Sequence, residues 1–161
     1  MRLFVSVRPS ARVVSHLQAH LGRLRTAPPA QWHVTLAFLG DVDDDSAVQE
    51  GLEVAAGLHR PFSLRLSGGG TFGPRTTWCG VAGDVEALRS LAADVQDACR
   101  EAGVELERRS YRPHLTVGRV DPRLLASYDS PTWQVAEIEL VQSVLGKRAV
   151  HTVRQTFGLE G

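Results

Sequence analysis

Apolar residues recur along this chain in two rhythms, period two and a period near three and a half. Leu3, Val5 and Val7 alternate with Arg2, Phe4 and Ser6, a strand that Pro9 ends. Ser10 is placed to cap a helix whose apolar face is Val13, Val14, Leu17, Leu21 and Leu24. A loop from Thr26 to Gln31 carries Pro28-Pro29, and His33 to Gly40 then reads as a mostly apolar strand. Asp41 to Asp45 forms an acidic turn before a helix near Ser46 to Leu58, where the helix dipole favours negative charge and water solvates it. Phe62, Leu64 and Leu66 alternate with Ser63, Arg65 and Ser67, a half-exposed strand, while Gly68-Gly69-Gly70 and Gly73-Pro74 read as a loop. Thr77 to Ala82 is another strand. Asp84 caps a third helix with Leu88, Leu91, Ala92, Val95, Ala98 and Cys99 on one face and Gly103 as its stop. His114 to Val120 is a strand. Val135 to Leu145 and Ala149 to Phe157 form a final pair of strands, joined as a hairpin through Gly146-Lys147.

This order contains a repeat. Strand, helix, loop and strand run from Leu3 to Gly40, and again from Thr77 to Val120, with different loop lengths. The last strand of each unit opens on the same pattern: His33-Val34-Thr35-Leu36 and His114-Leu115-Thr116-Val117. In a strand, alternate side chains share a face, so each His lies beside its Thr and the apolar residues fill the other face. A duplication predicts two similar lobes, each presenting one His and one Thr. Two imidazoles near neutral pKa can serve as acid and base, and two hydroxyls can hydrogen-bond phosphate oxygens. Such an inventory suits acid–base chemistry on a phosphodiester and needs no metal or other cofactor.

Composition narrows the setting. The 161 residues fit a single domain spanning 1–161, with 43% hydrophobic and 22% charged residues. No apolar run reaches membrane-span length, and the opening apolar stretch is too short for a signal-peptide core, so a cytoplasmic protein with no membrane partner is expected. Formal net charge is zero, unlike proteins that wrap duplex nucleic acid. A nucleic-acid substrate would be gripped at an end, through a local patch drawn from Arg108, Arg109, Arg112, Lys147 and Arg148. Cys79 and Cys99 lack zinc-ligand spacing and read as small buried hydrophobes. The glycine run lacks the Lys-Ser/Thr ending of a phosphate-cradling loop.

The doubled motif resembles the 2H phosphoesterase superfamily, and within it the RNA 2′,3′-cyclic phosphodiesterases, also called 2′-5′ RNA ligases. The resemblance runs through Arg2-Leu3-Phe4-Val5-Ser6-Val7-Arg8-Pro9, Trp32 to Gly40, Trp78-Cys79-Gly80-Val81 and Arg112 to Arg119. It implies a bilobal α+β fold, with two antiparallel-rich sheets facing a central cleft and helices outside. It implies opening of a terminal 2′,3′-cyclic phosphate to a 2′-phosphomonoester, and ATP-independent 2′-5′ ligation in reverse. His33 would protonate the departing 3′ oxygen and His114 would activate water. Thr35 and Thr116 would hold phosphoryl oxygens, and Arg119 would contact substrate. Arg119 lies five residues past His114, which reverses its face unless Gly118 bends the strand. The substrates implied are RNA ends or small cyclic nucleotides, handled by a monomer.

Other readings compete. His16, His20 and His59 fall in helical stretches and read as surface residues. His151 directly precedes Thr152, so the two take opposite faces, and His151 is left outside the site. Trp32, Trp78 and Trp133 read as core or cleft wall, with Trp32 pointing away from His33. A metalloenzyme built on His33, His114 and His151 lacks a convincing carboxylate ligand and would stop in excess chelator. A family phosphodiesterase acting on another cyclic or 2′-5′ nucleotide, or a non-catalytic RNA-end-binding module, are the remaining alternatives. The module does not need paired proton-transfer groups.

Overall fold

The computed structural model describes all 161 residues. The strands are β1 (Arg2–Val7), β2 (Val34–Asp41), β3 (Phe62–Phe72), β4 (Thr76–Gly83), β5 (His114–Gly118), β6 (Trp133–Val135), β7 (Glu137–Val144) and β8 (Val150–Gly158). The helices are α1 (Ala11–Leu21), α2 (Ser46–Gly57) and α3 (Val85–Glu101), with 3₁₀ turns at Pro29–Gln31 and Pro122–Leu125. The sheet order is β6-β3-β4-β5-β2-β1-β7-β8, and every neighbouring pair is antiparallel. This is the expected α+β architecture of two four-stranded units. The units are not separate sheets, however. A single register pair, Val34 with Leu115, joins β2 to β5 and makes one curled eight-stranded sheet.

Period-two alternation places the core. Leu3, Val5 and Val7 of β1, Val34 and Leu36 of β2, and Leu115 and Val117 of β5 are buried beside the apolar faces of the helices. Burying a Leu or Val side chain contributes roughly 1.5–3 kcal/mol, so this face fixes the register. Ser10 accepts a hydrogen bond from Val13 N, which caps α1 as its sequence foretold. Each repeat's helix is tied to the other unit. In α1, His16 Nδ1 lies 2.9 Å from the Tyr128 hydroxyl, and His20 Nε2 lies 2.6 Å from the Leu124 carbonyl oxygen. In α3, Gln96 donates to the Leu36 carbonyl of β2 at 2.9 Å.

Several expectations are corrected. The glycine run is strand, not loop: β3 continues to Phe72 past a bulge between Leu66 and Gly69. The reason lies in packing. A Cβ on Gly70 would sit 2.7 Å from the Trp78 ring, so glycine gives that indole its seat on the neighbouring strand. The short strand β6 was not foreseen, and the His114 strand ends at Gly118 instead of Val120. Asp45 is not solvated: it is buried and takes Arg154 Nε at 2.7 Å. Asp84 makes no side-chain cap; its carboxylate accepts from Ser63 N at 2.9 Å. No helix is long and apolar enough to cross a membrane.

Candidate active site

His33 immediately precedes β2, and two contacts fix its ring. Its Nδ1 lies 2.7 Å from the Gln31 carbonyl oxygen and its Nε2 lies 3.0 Å from Thr35 Oγ1. A carbonyl only accepts, so Nδ1 carries the proton and donates. In the neutral ring Nε2 then holds the free lone pair and accepts from the Thr35 hydroxyl. His114 repeats the arrangement: its Nδ1 donates to the Arg112 carbonyl at 2.7 Å. In both motifs the carbonyl two residues upstream selects the tautomer and leaves Nε2 with the free lone pair. The two copies thus share their tether as well as their spelling.

The junction of the two units brings the copies together. Val34 pairs with Leu115, so continuing that antiparallel register by one residue each way sets His33 opposite Thr116 and Thr35 opposite His114. All four lie on the face opposite the core residues Val34 and Leu115. The β2–β5 junction, held by a single register pair, lies under the site.

The surroundings of the two histidines differ. The His33 ring stacks on Phe4, with centroids 4.7 Å apart and planes at 26°. His151 of β8 meets the His33 ring edge-on at 5.7 Å and also touches Phe4 at 5.1 Å. Phe4 is 4% exposed. Burial lowers the pKa of His33 below the usual imidazole value, the Gln31 carbonyl opposes this, and the charges of His151, Arg8 and His114 lower it further. His114 faces Phe72 at 4.9 Å and Trp78 at 6.2 Å, both edge-on. Phe72 is 40% exposed, and a pocket of about 310 Å³ opens here, bounded by Phe72, Trp78, Arg89, Arg112 and His114.

The chain matches the model of the 2′-5′ RNA ligase superfamily over residues 6–146. It belongs to that superfamily. An RNA 2′,3′-cyclic phosphodiesterase of Geobacillus stearothermophilus is 37% identical over 81% of this chain, which spans 46% of that relative's length. An RNA 2′,3′-cyclic phosphodiesterase of Thermus thermophilus is 30% identical, with 100% of this chain and 91% of the relative covered. The crystal structure of TT0787 of Thermus thermophilus superposes with a TM-score of 0.77 at 29% identity, covering 100% and 99% of the two chains.

The β2–β5 register places His33, Thr35, His114 and Thr116 on one face of the sheet. Arg119 follows Gly118, whose φ of 111° turns the backbone out of the strand. It is exposed and has no ion-pair partner. The basic cluster divides. Arg112 borders the pocket beside His114, whereas Arg109 pairs with Glu107 at 3.2 Å on the open surface. Trp78 is cleft wall, and Trp32 and Trp133 are core. Burial pushes the thiols of Cys79 and Cys99 up to about 12, which keeps them neutral and hydrophobic. Sequence reasoning missed Phe4, Arg8, Phe72 and His151 as neighbours of the motifs. Phe4 carried a signal, since it alternates with the core set of β1. His151 carried none, because only its pairing with Ser143 of β7 places it. No group of three His, Cys, Asp or Glu side chains is arranged to hold a metal ion.

Proposed function

We propose that this chain is an RNA 2′,3′-cyclic phosphodiesterase, opening a terminal cyclic phosphate to a 2′-phosphomonoester by metal-independent acid–base catalysis. The observation that carries the reading is the matched tether of the two histidines. Each Nδ1 is held by a backbone carbonyl, leaving two Nε2 atoms for proton transfer on a shared face. His114 Nε2 takes a proton from water as its oxygen attacks phosphorus. The bond from phosphorus to the 3′ oxygen breaks, and that oxygen receives the proton from His33 Nε2. Charge develops on the phosphoryl oxygens, where Thr35 and Thr116 donate hydrogen bonds, while Arg119 contacts the incoming substrate.

Burial leaves His33 neutral more readily than an exposed imidazole. The bound phosphodiester anion offsets this by favouring the imidazolium, so substrate charges its own acid. The pairing of roles with residues follows the superfamily resemblance. With an RNA 5′-hydroxyl replacing water as the nucleophile, the same ring opening forms a 2′-5′ linkage and frees the 3′ hydroxyl without ATP. The pocket beside His114 gives that second RNA room, with Phe72 as a stacking face. Each unit of the chain contributes one histidine, so a monomer completes the site, and the cytoplasm is its proposed location.

The test is incubation in excess EDTA with an RNA bearing a 2′,3′-cyclic phosphate, followed by identification of the product. A 2′-phosphate end is expected. A 3′-phosphate end, or loss of turnover in the chelator, contradicts the proposal.

A further inference from the structure

The six histidines are not equal in their bonding. His16, His20, His33, His59 and His114 each have a ring nitrogen hydrogen-bonded to the protein. His151 has no such partner, although it is half-buried and lies edge-on to His33. It is also held in place. It pairs with Ser143 in the β7–β8 ladder and packs on Phe4, and the Gln31 side chain donates to the Ala149 carbonyl of the same hairpin at 2.9 Å. Gln31 thereby fixes His33 through its backbone and the start of β8 through its side chain. A positioned imidazole with both nitrogens free, beside an acid–base residue, is a group prepared for a ligand.

The charges nearby indicate which ligand. Arg8, at the end of β1, is exposed and makes no ion pair, and its charge is felt at both His33 and His151. Glu139, on β7, is the carboxylate that also senses Arg8. Beyond His151 the hairpin turn carries Lys147 and Arg148, both exposed and without ion-pair partners. Positive groups therefore continue from the cleft along the hairpin. On the function proposed above, the terminal ribose lies on the His33 side, because its 3′ oxygen is the one His33 protonates. The chain leaves that ribose through its 5′ phosphate.

We propose that His151 is an RNA-binding residue that, with Arg8, takes the phosphodiester on the 5′ side of the terminal nucleotide, so that the site is built for an RNA end and not for a free cyclic mononucleotide. The imidazole donates to a non-bridging oxygen, and Lys147 and Arg148 attract the strand beyond it. This assignment rests on the phosphodiesterase reading and deepens it.

The experiment compares kcat/KM for a short RNA ending in 2′,3′-cyclic phosphate with that for a nucleoside 2′,3′-cyclic phosphate, in wild type, His151→Ala and His151→Phe. His151→Phe keeps the packing on Phe4 and His33 while removing both nitrogens. The preference for RNA over mononucleotide is expected to fall roughly tenfold in both variants, mainly through KM, as for loss of a hydrogen bond to a charged group. An unchanged preference in His151→Phe overturns the assignment, as does an equal loss on both substrates, which would mean that His151 acts only through His33. Fluorescence-anisotropy affinities for the same RNA ending in a 2′-phosphate separate the two claims. If wild type turns over neither substrate, the phosphodiesterase reading falls. A roughly tenfold weaker RNA affinity in His151→Phe would still uphold His151, and an unchanged affinity would reject it.

Discussion

The two halves of the site share a backbone plan and differ in what surrounds it. Around His33 the space is closed: Phe4 is buried under the ring, His151 meets its edge, and desolvation lowers its proton affinity. Around His114 the space is open: Phe72 and Trp78 stand edge-on to the ring, and a pocket of about 310 Å³ lies beside it. The repeated motif supplies two like-tethered imidazoles, and the proposed reaction needs two different ones. The difference comes from neighbouring strands, β1 and β8 on one side and β3 and β4 on the other, not from the motifs themselves. On the proposed mechanism, a closed environment suits the partner that exchanges its proton with a bound ribose oxygen. An open one suits the partner that must admit water or a second RNA end.

The strongest way to break this comparison is to remove either ring. His33→Ala and His114→Ala should each lower turnover of a 2′,3′-cyclic phosphate by about 10²-fold or more with little loss of stability, as removal of a positioned acid or base does. Near wild-type turnover in either variant would remove that histidine from the chemistry. A smaller effect is expected from Gly70→Ala, which disturbs only the open half. Its Cβ would lie 2.7 Å from the Trp78 indole and displace it toward the pocket. We expect a loss of stability of about 1–3 kcal/mol, as overpacking brings, a lowered kcat/KM, and unchanged titration of His33 followed by NMR. A shifted His33 titration would show that the two halves are not independent. The smallest effect is expected from Arg119→Ala, a KM raised a few-fold with kcat less affected, since an exposed charge mainly draws in the anion. An unchanged KM would place Arg119 outside the binding surface.

Much of the fold was legible because strands of period two and helices of longer period bury different apolar sets. Leu3, Val5 and Val7 could only be one face of a strand, and Leu88, Leu91, Ala92, Val95 and Cys99 only one face of a helix. The motifs were legible for the same reason: a His and a Thr two residues apart share a face in any strand. What could not be read depended on partners distant in sequence. Gly68 to Gly70 looked like a loop because a turn and a seat for an indole both call for glycine, and only the β3–β4 register separates them. Asp45 looked solvated because Arg154, which neutralises it, lies on the last strand. His151 was set aside on its relation to Thr152, although its decisive neighbour is His33, reached through β7, β1 and β2.

The central claim is that one histidine acts while protonated and the other while neutral. The direct measurement is kcat/KM for a 2′,3′-cyclic phosphate RNA across about pH 4 to 9, in wild type and in each single-histidine alanine variant. Wild type should give a bell. The residual activity of His114→Ala should lack the acid limb and keep the alkaline one. Because kcat/KM reports the free enzyme and His33 must enter protonated, that remaining limb should fall through the His33 pKa, lowered by burial from the usual imidazole value. The residual activity of His33→Ala should lack the alkaline limb and keep the acid one. A flat wild-type profile, or loss of the same limb in both variants, would contradict the account.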